Sequence, residues 1–208
     1  MDPKHVIAQG YDHIVQRYSD WGRNVRAEER ARYTTLLLES LHEHADVLEL
    51  GCGAGIPTTQ QLAQRFSVTG VDISEQSILL AQKNVPTARF IKSDMSELSF
   101  PAESFDAVAA FYSIIHVPRA EHRSLLESIL TWLRPNGLLV VTMGAVSEEA
   151  KFKQDWLGAP MYWSHFDAPT NRALVQAVGF RIVSANEETA DENGKPITFL
   201  WIVGQKPS

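Results

Sequence analysis

The sequence lacks the features that mark several large protein classes. It has a single cysteine, Cys52, in 208 residues. No disulfide can therefore form within the chain, and no multi-cysteine metal site can be built. No segment approaches the roughly 18 consecutive apolar residues that a membrane-spanning helix needs. The opening Met1-Asp-Pro-Lys-His has neither the charge pattern nor the apolar stretch of a secretory signal, so a cytoplasmic protein is expected. Basic runs are equally scarce. Nineteen Lys and Arg stand against 25 Asp and Glu, a formal net charge of −6. The densest basic segment, Arg26 to Arg32, is interrupted by Glu28 and Glu29. Nucleic-acid binding calls for a basic stripe, and there is none. Internal repeats, low-complexity tracts and interdomain linkers are also missing.

What is present is a regular alternation of short apolar runs with amphipathic stretches. Strands are expected near 46–51, 67–72, 88–92, 105–111, 137–143, 179–186 and 197–205, with helices near 57–65, 74–83, 120–133 and 168–178. Two helices lead: residues 3–18, and Asn24 to Glu43 with Tyr33, Leu37 and Leu41 on one face. Ser74 and Ser77 suit a helix start, Pro135-Asn136-Gly137 a turn, and Gly179 a helix end. Alternating strands and helices imply a parallel sheet with helices on both faces. The last two strands are joined by a polar stretch with Asn193-Gly194 as its turn and no helix, so one of them should run antiparallel.

The most informative segment is Val47-Leu-Glu49-Leu-Gly51-Cys52-Gly53-Ala-Gly55-Ile-Pro57. An apolar strand ends in three alternate glycines and turns into a helix, which leaves bare backbone at the turn for a ligand to approach. Asp72 follows at the end of the second strand, where an acid can bind the two hydroxyls of a ribose. A nucleoside-containing cofactor is implied. The G-x-G-x-G spacing and Glu49 argue against a pyrophosphate and for a cationic ligand.

These residues resemble motif I of the class I S-adenosylmethionine (SAM)-dependent methyltransferases. Val71-Asp72-Ile73-Ser74 resembles motif II, Phe105-Asp106 to Phe111 resembles motif IV, and Leu133-Arg-Pro-Asn136-Gly resembles the family's turn, with Asn136 where Gly is usual. The resemblance runs motif by motif over 46–143 and is closest in type to the ubiquinone/menaquinone-biosynthesis group. It implies an α/β, Rossmann-like, doubly wound sheet of seven strands, mostly parallel, with one antiparallel strand in a C-terminal hairpin. It implies a single domain over 1–208: a helical cover over 1–44, a cofactor-binding core over 45–143, and a substrate-covering segment with the terminal hairpin over 144–208.

It also implies SAM as cofactor and S-adenosylhomocysteine (SAH) as product. The cofactor residues would be Glu49, Gly51, Cys52, Gly53, Gly55, Asp72, Ile73, Ser77, Asp94, Met95 and Phe111. Asp94 would take the adenine amino group; as an alternative, Ser93 or Asp94 caps the short helix that follows. Cys52 would contribute backbone and packing rather than a nucleophile.

His116, directly after the fourth strand, is the candidate general base, with His165 a second. Tyr11, Tyr18 and Trp21 in the leading helix, Tyr112, and Trp156, Met161 and Trp163 between the fifth strand and the last helix are candidate acceptor contacts. His5, His13, His42, His44 and His122 read as surface residues. No Asn/Asp-Pro-Pro-Tyr follows the fourth strand, where Ala110-Phe-Tyr-Ser stands, which argues against amino methylation of adenine or glutamine. No second acid near Asp106 suggests a metal site. The expectation is metal-free methyl transfer to a small, partly aromatic acceptor, preferably at oxygen, by a monomer or homodimer without nucleic-acid or membrane partners. Two alternatives remain open: a SAM-binding protein that does not methylate (sensor, partner subunit or cyclase-like catalyst) and a nicotinamide-dependent oxidoreductase.

Overall fold

In a computed structural model, residues 2–192 and 194–208 are described. Seven strands form one twisted sheet: β1 (Asp46–Leu50), β2 (Ser67–Asp72), β3 (Arg89–Lys92), β4 (Phe105–Ala110), β5 (Leu133–Gly144), β8 (Arg181–Asp191) and β9 (Pro196–Gln205), in the order β3-β2-β1-β4-β5-β9-β8. β1 to β5 pair in parallel, and β9 is antiparallel to both β5 and β8. This is the mostly parallel seven-stranded sheet with one reversed strand. Of the expected Asn193-Gly194 turn between β8 and β9, Asn193 lies outside the described residues, and Gly194 has a positive φ of 79°.

The central strands are buried on both faces. Val47, Leu48 and Leu50 of β1 and Ala107 to Ala110 of β4 are all inaccessible to solvent, as continuous apolar runs in a parallel sheet require. One face is covered by α5 (His122–Trp132) and α6 (Ala168–Val178), whose Leu126, Ile129 and Val175 enter the same core as Leu48 and Val141. The other is covered by α2 (Ala27–Ser40) and α3 (Thr58–Leu62), with Tyr33, Leu37 and Leu62 against Val47 and Val68. Ser74 caps α4 (Glu75–Asn84) by accepting from Ser77 N at 3.0 Å. Asn136 takes φ 65° at the turn into β5, a conformation Asn tolerates.

Three differences from the sequence reading bear on function. α1 (Pro3–Gly22) runs four residues longer than expected, which carries Trp21 into the helix. Residues 148–165 form a separate two-stranded antiparallel sheet, β6 (Glu148–Trp156) and β7 (Ala159–His165). β6 is exposed almost throughout, so it has no apolar alternation by which to be read as a strand. His122, expected at the surface, is 1% exposed, and its Nε2–H donates to the Val117 carbonyl at 2.9 Å.

Candidate functional site

The carboxyl ends of β1, β2 and β4 open into a cleft roofed by α1 and the β6–β7 hairpin. Two adjoining cavities lie along the strand ends, of about 680 Å3 and 570 Å3 of empty space. Both reach Gly51 and Gly53. Gly51 has φ 77°, and a Cβ there would collide with Ser113. Gly53 has φ 54°, but a Cβ on it would meet nothing within 4 Å. The first glycine thus lets the chain fold tightly, and the second presents bare backbone to open space. Gly55 differs from expectation: it faces α4, where a Cβ would lie 3.3 Å from Ala81 Cβ and Val85 Cγ2. It lines neither cavity, and its role is close packing of loop on helix.

Two carboxylates mark the floor. Asp72 accepts from Gly53 N at 2.8 Å and Ser74 N at 2.9 Å, so it clasps the glycine loop to β2. Burial pushes its pKa up to about 6, against the lowering effect of those two N–H bonds. Glu49 is 4% exposed, accepts from Thr59 Oγ1 at 2.6 Å, and is pushed by burial to about 7. Cys52 and Ser77 line the Glu49 end, and burial drives the Cys52 thiol well above its ordinary value, which leaves it inert. Ile73, Asp94 and Met95 line the other cavity, and Phe111 reaches both. Asp94 does cap the next turn, accepting from Ser96 N at 2.9 Å; its second oxygen lies 2.7 Å from Lys4 Nζ.

A third, larger cavity of about 1640 Å3 extends outward from the junction. Trp21, Trp156, Trp163 and Phe199 give it aromatic walls. Tyr11, Tyr18, Tyr112 and His116 line both this cavity and the Asp72–Asp94 one. Tyr11 meets Tyr18 edge-on at 5.2 Å and His116 at 5.5 Å, and the rings of Trp156 and Trp163 stand 5.6 Å apart. Tyr112 sits at φ 57°, a strained backbone for an aromatic residue and a recurring mark of functional loops. Met161 does not join this wall. It is fully buried beneath α1, close to Gly10.

His116 is held at both nitrogens. Its Nδ1 is 2.6 Å from the Tyr162 carbonyl and its Nε2 is 2.9 Å from Tyr11 Oη. A carbonyl only accepts, so Nδ1 carries the proton and Nε2 accepts from the tyrosine hydroxyl. Burial lowers the His116 pKa to about 4, so the ring is neutral at neutral pH. His165 is also buried, donates from Nδ1 to the Val146 carbonyl at 2.8 Å, and lines the large cavity. Its pKa is lowered by the same cause.

Several residues of this site escaped sequence reasoning. Lys4 lines the Asp94 end and bridges Asp94 and Glu121, each at 2.7 Å. Arg30 lies between the Glu49 end and the large cavity, with its guanidinium 2.7 Å from the Gly22 carbonyl. Both come from leading helices, and no local signal announces a long-range docking contact. The one available hint was Arg30's place on the same helix as the apolar Tyr33–Leu37 face.

Residues 47–137 match the family described as a methyltransferase domain. The trans-aconitate 2-methyltransferase of Delftia acidovorans is 34% identical over 87% of this chain and 78% of its own length. The chain belongs to the class I SAM-dependent methyltransferases. It is also 29% identical to the 2-methyl-6-phytyl-1,4-hydroquinone methyltransferase of Synechocystis sp., covering 82% of this chain and 54% of that protein, so it spans about half of that relative. Among solved structures it resembles the 1,6-didemethyltoxoflavin-N1-methyltransferase of Burkholderia thailandensis, which holds its acceptor and SAH. The TM-score is 0.67 and the identity 24%, over 94% of this chain and 86% of that one. That likeness is one of fold.

As a methyltransferase of this class the chain uses SAM, and its residues suit that molecule. SAM joins a ribose diol and an adenine to a methionine bearing an ammonium and a sulfonium. Asp72, Asp94 and Glu49, with the cation of Arg30 in the cavity of Glu49, offer acceptors suited to the diol, the adenine amino group and the ammonium, and a cation suited to the carboxylate of the methionine. Family membership sets aside the nicotinamide-dependent alternative.

Proposed function

We propose that this methyltransferase transfers the methyl group of SAM to an oxygen of a small, partly aromatic acceptor, without a metal. The observation that carries this reading is the shared wall: Tyr11, Tyr18, Tyr112 and His116 border both the cavity of Asp72 and the aromatic cleft. A methyl group must cross from cofactor to acceptor at such a junction, and alignment of the two there supplies much of the rate. Asp72 takes the ribose, Asp94 and Met95 the adenine, and Glu49 with Arg30 the methionine end. The remainder of the cleft, between Trp21, Trp156 and Trp163, holds the acceptor. In this reading 45–143 is the cofactor-binding core, 1–44 its cover, and 144–208 the acceptor-covering segment with the terminal hairpin. The two named relatives act on trans-aconitate and on a hydroquinone, both small organic molecules, the second aromatic.

SAM supplies an activated methyl group. The protein's part is to exclude water, fix the acceptor oxygen and handle its proton. Tyr11 already donates to His116, so its oxygen is free to accept a hydrogen bond from an acceptor hydroxyl. A proton leaving that hydroxyl passes to Tyr11 while Tyr11's own proton passes to His116 Nε2. The buried, weakly basic His116 suits an acidic hydroxyl better than an aliphatic alcohol. The acidic net charge of −6 supports a small-molecule acceptor over nucleic acid. No helix among the described residues is long and apolar enough to cross a membrane. The reading is of a cytoplasmic enzyme, monomeric or homodimeric.

The test is SAH release against a panel of phenols, enols and small organic acids, with mass spectrometry locating the added methyl. Product methylated at nitrogen or carbon would remove the oxygen preference. SAM binding with no turnover across the panel would favour a cofactor-binding role instead.

A further inference from the structure

The aromatic cleft is positively charged in a protein that is negatively charged as a whole. Five cationic side chains, Arg26, Arg30, Lys151, Lys153 and Lys195, line it with only two carboxylates, Glu148 and Glu192. The two carboxylates are already engaged: Glu192 pairs with Arg26 at 2.5 Å and Glu148 with Lys151 at 2.9 Å. That leaves three cations without an acidic partner among the described residues, in a chain whose net charge is −6. Arg30 borders the Glu49 end as well and is assigned to the cofactor. Lys153 and Lys195 line the large cavity alone and neither cofactor-side cavity. They come from different hairpins, β6–β7 and β8–β9, so the fold brings them to one cleft from distant parts of the chain.

We infer that the acceptor bears a carboxylate, and that Lys153 and Lys195 select it. A field of one sign inside a concave, apolar-walled cleft concentrates ligands of the opposite sign. Aromatic walls hold the flat part of such a molecule, and an ammonium at the mouth satisfies its anionic end with charge-assisted bonds.

This inference rests on the reading of the cleft as the acceptor site, and the experiment separates the two. The protein, saturated with SAH, is titrated with matched pairs of aromatic carboxylates and their carboxamides, 4-hydroxybenzoate and 4-hydroxybenzamide among them. Binding is followed by quenching of the tryptophans that line the cleft. The carboxylates are expected to bind about tenfold tighter than their amides, through charge-assisted bonds to two exposed lysines at the mouth of a cleft that concentrates anions. In the double variant Lys153→Gln/Lys195→Gln that preference should fall below about threefold, while SAH affinity and melting temperature stay at wild-type values. Amides binding as tightly as carboxylates would overturn the charge inference and leave the acceptor site standing. A preference that survives the double substitution would overturn the assignment to these lysines. If no member of any pair binds, the inference and the acceptor-site reading both fail.

Discussion

At the scale of single residues, the site is built from groups whose charge states burial has moved. Asp72 and Glu49 titrate near 6 and 7 when the cleft is free. A cationic ligand and ribose hydroxyls favour both groups in the ionised form. Below those values, binding must therefore expel protons. SAM affinity should rise as pH goes from about 5.5 to 7.5, with proton release largest below the two pKa values and falling away as pH rises through them. Calorimetry in buffers of different ionisation heat measures both; a pH-independent affinity with no proton release would remove the two carboxylates from the binding site. Asp72→Ala removes the carboxylate proposed to take the ribose and also unclasps Gly53 from β2. At roughly 1.5–3 kcal/mol per charge-assisted bond, SAM affinity should fall at least about tenfold in a folded protein. His116→Ala should leave SAM affinity intact and lower kcat by about 10²–10⁴-fold. Tyr11→Phe should reproduce most of that loss, because the proposed proton path runs through its hydroxyl. The limiting inflection in the rate should lie near pH 4 rather than at the ordinary histidine value. Full kcat in Tyr11→Phe would return the role to alignment alone.

At the scale of elements, the site depends on two pieces that the sheet does not need. α1 is pinned across the strand ends by Asp12, which accepts from Ser74 Oγ at 2.7 Å and Gln76 N at 3.0 Å, and by Lys4 between Asp94 and Glu121. Losing the Asp12 contacts should cost α1 roughly 1 kcal/mol of docking, so Asp12→Ala should speed SAH release several-fold in stopped-flow fluorescence. An unchanged release rate would mean that α1 does not gate the cofactor. The β6–β7 hairpin contributes Trp156 and Trp163. Trp163 is only half-buried and faces His116 at 5.7 Å. Trp163→Ala should raise the acceptor KM by a factor corresponding to about 1–3 kcal/mol of lost burial, with cofactor affinity unchanged. A lowered melting temperature with unaltered KM would reduce it to core cover. These two pieces were also read unequally from sequence. α1 was read as a helix over 3–18 that carries Tyr11 and Tyr18. The hairpin did not, because the polar run Glu148 to Asp155 has no pattern that distinguishes an exposed strand from a loop.

At the scale of the whole molecule, the seven sheet strands and their reversal were legible because buried parallel strands are written as apolar runs between turn signals. The glycine turn after β1 and the place of Asp72 at the end of β2 were legible for a similar reason, because their spacing is local. What was not legible depends on residues meeting across long separations. Gly55 and Met161 carry the right residue types but point into packing, against α4 and beneath α1. Lys4 and Arg30 reach the cleft only because the helices bearing them dock there. The same holds for the charge contrast between the acidic chain and its basic cleft, which composition averages away. The most direct test of the proposed methyl transfer between the two joined cavities follows the methyl group itself. SAM labelled on its methyl is incubated with the protein and a panel of small aromatic acids and phenols, and label and SAH are quantified together. One or more acceptors should carry the label on oxygen, with one SAH formed for each methyl moved. Label that stays on bound SAM throughout the panel, or that is recovered on nucleic acid or protein, would contradict the assignment.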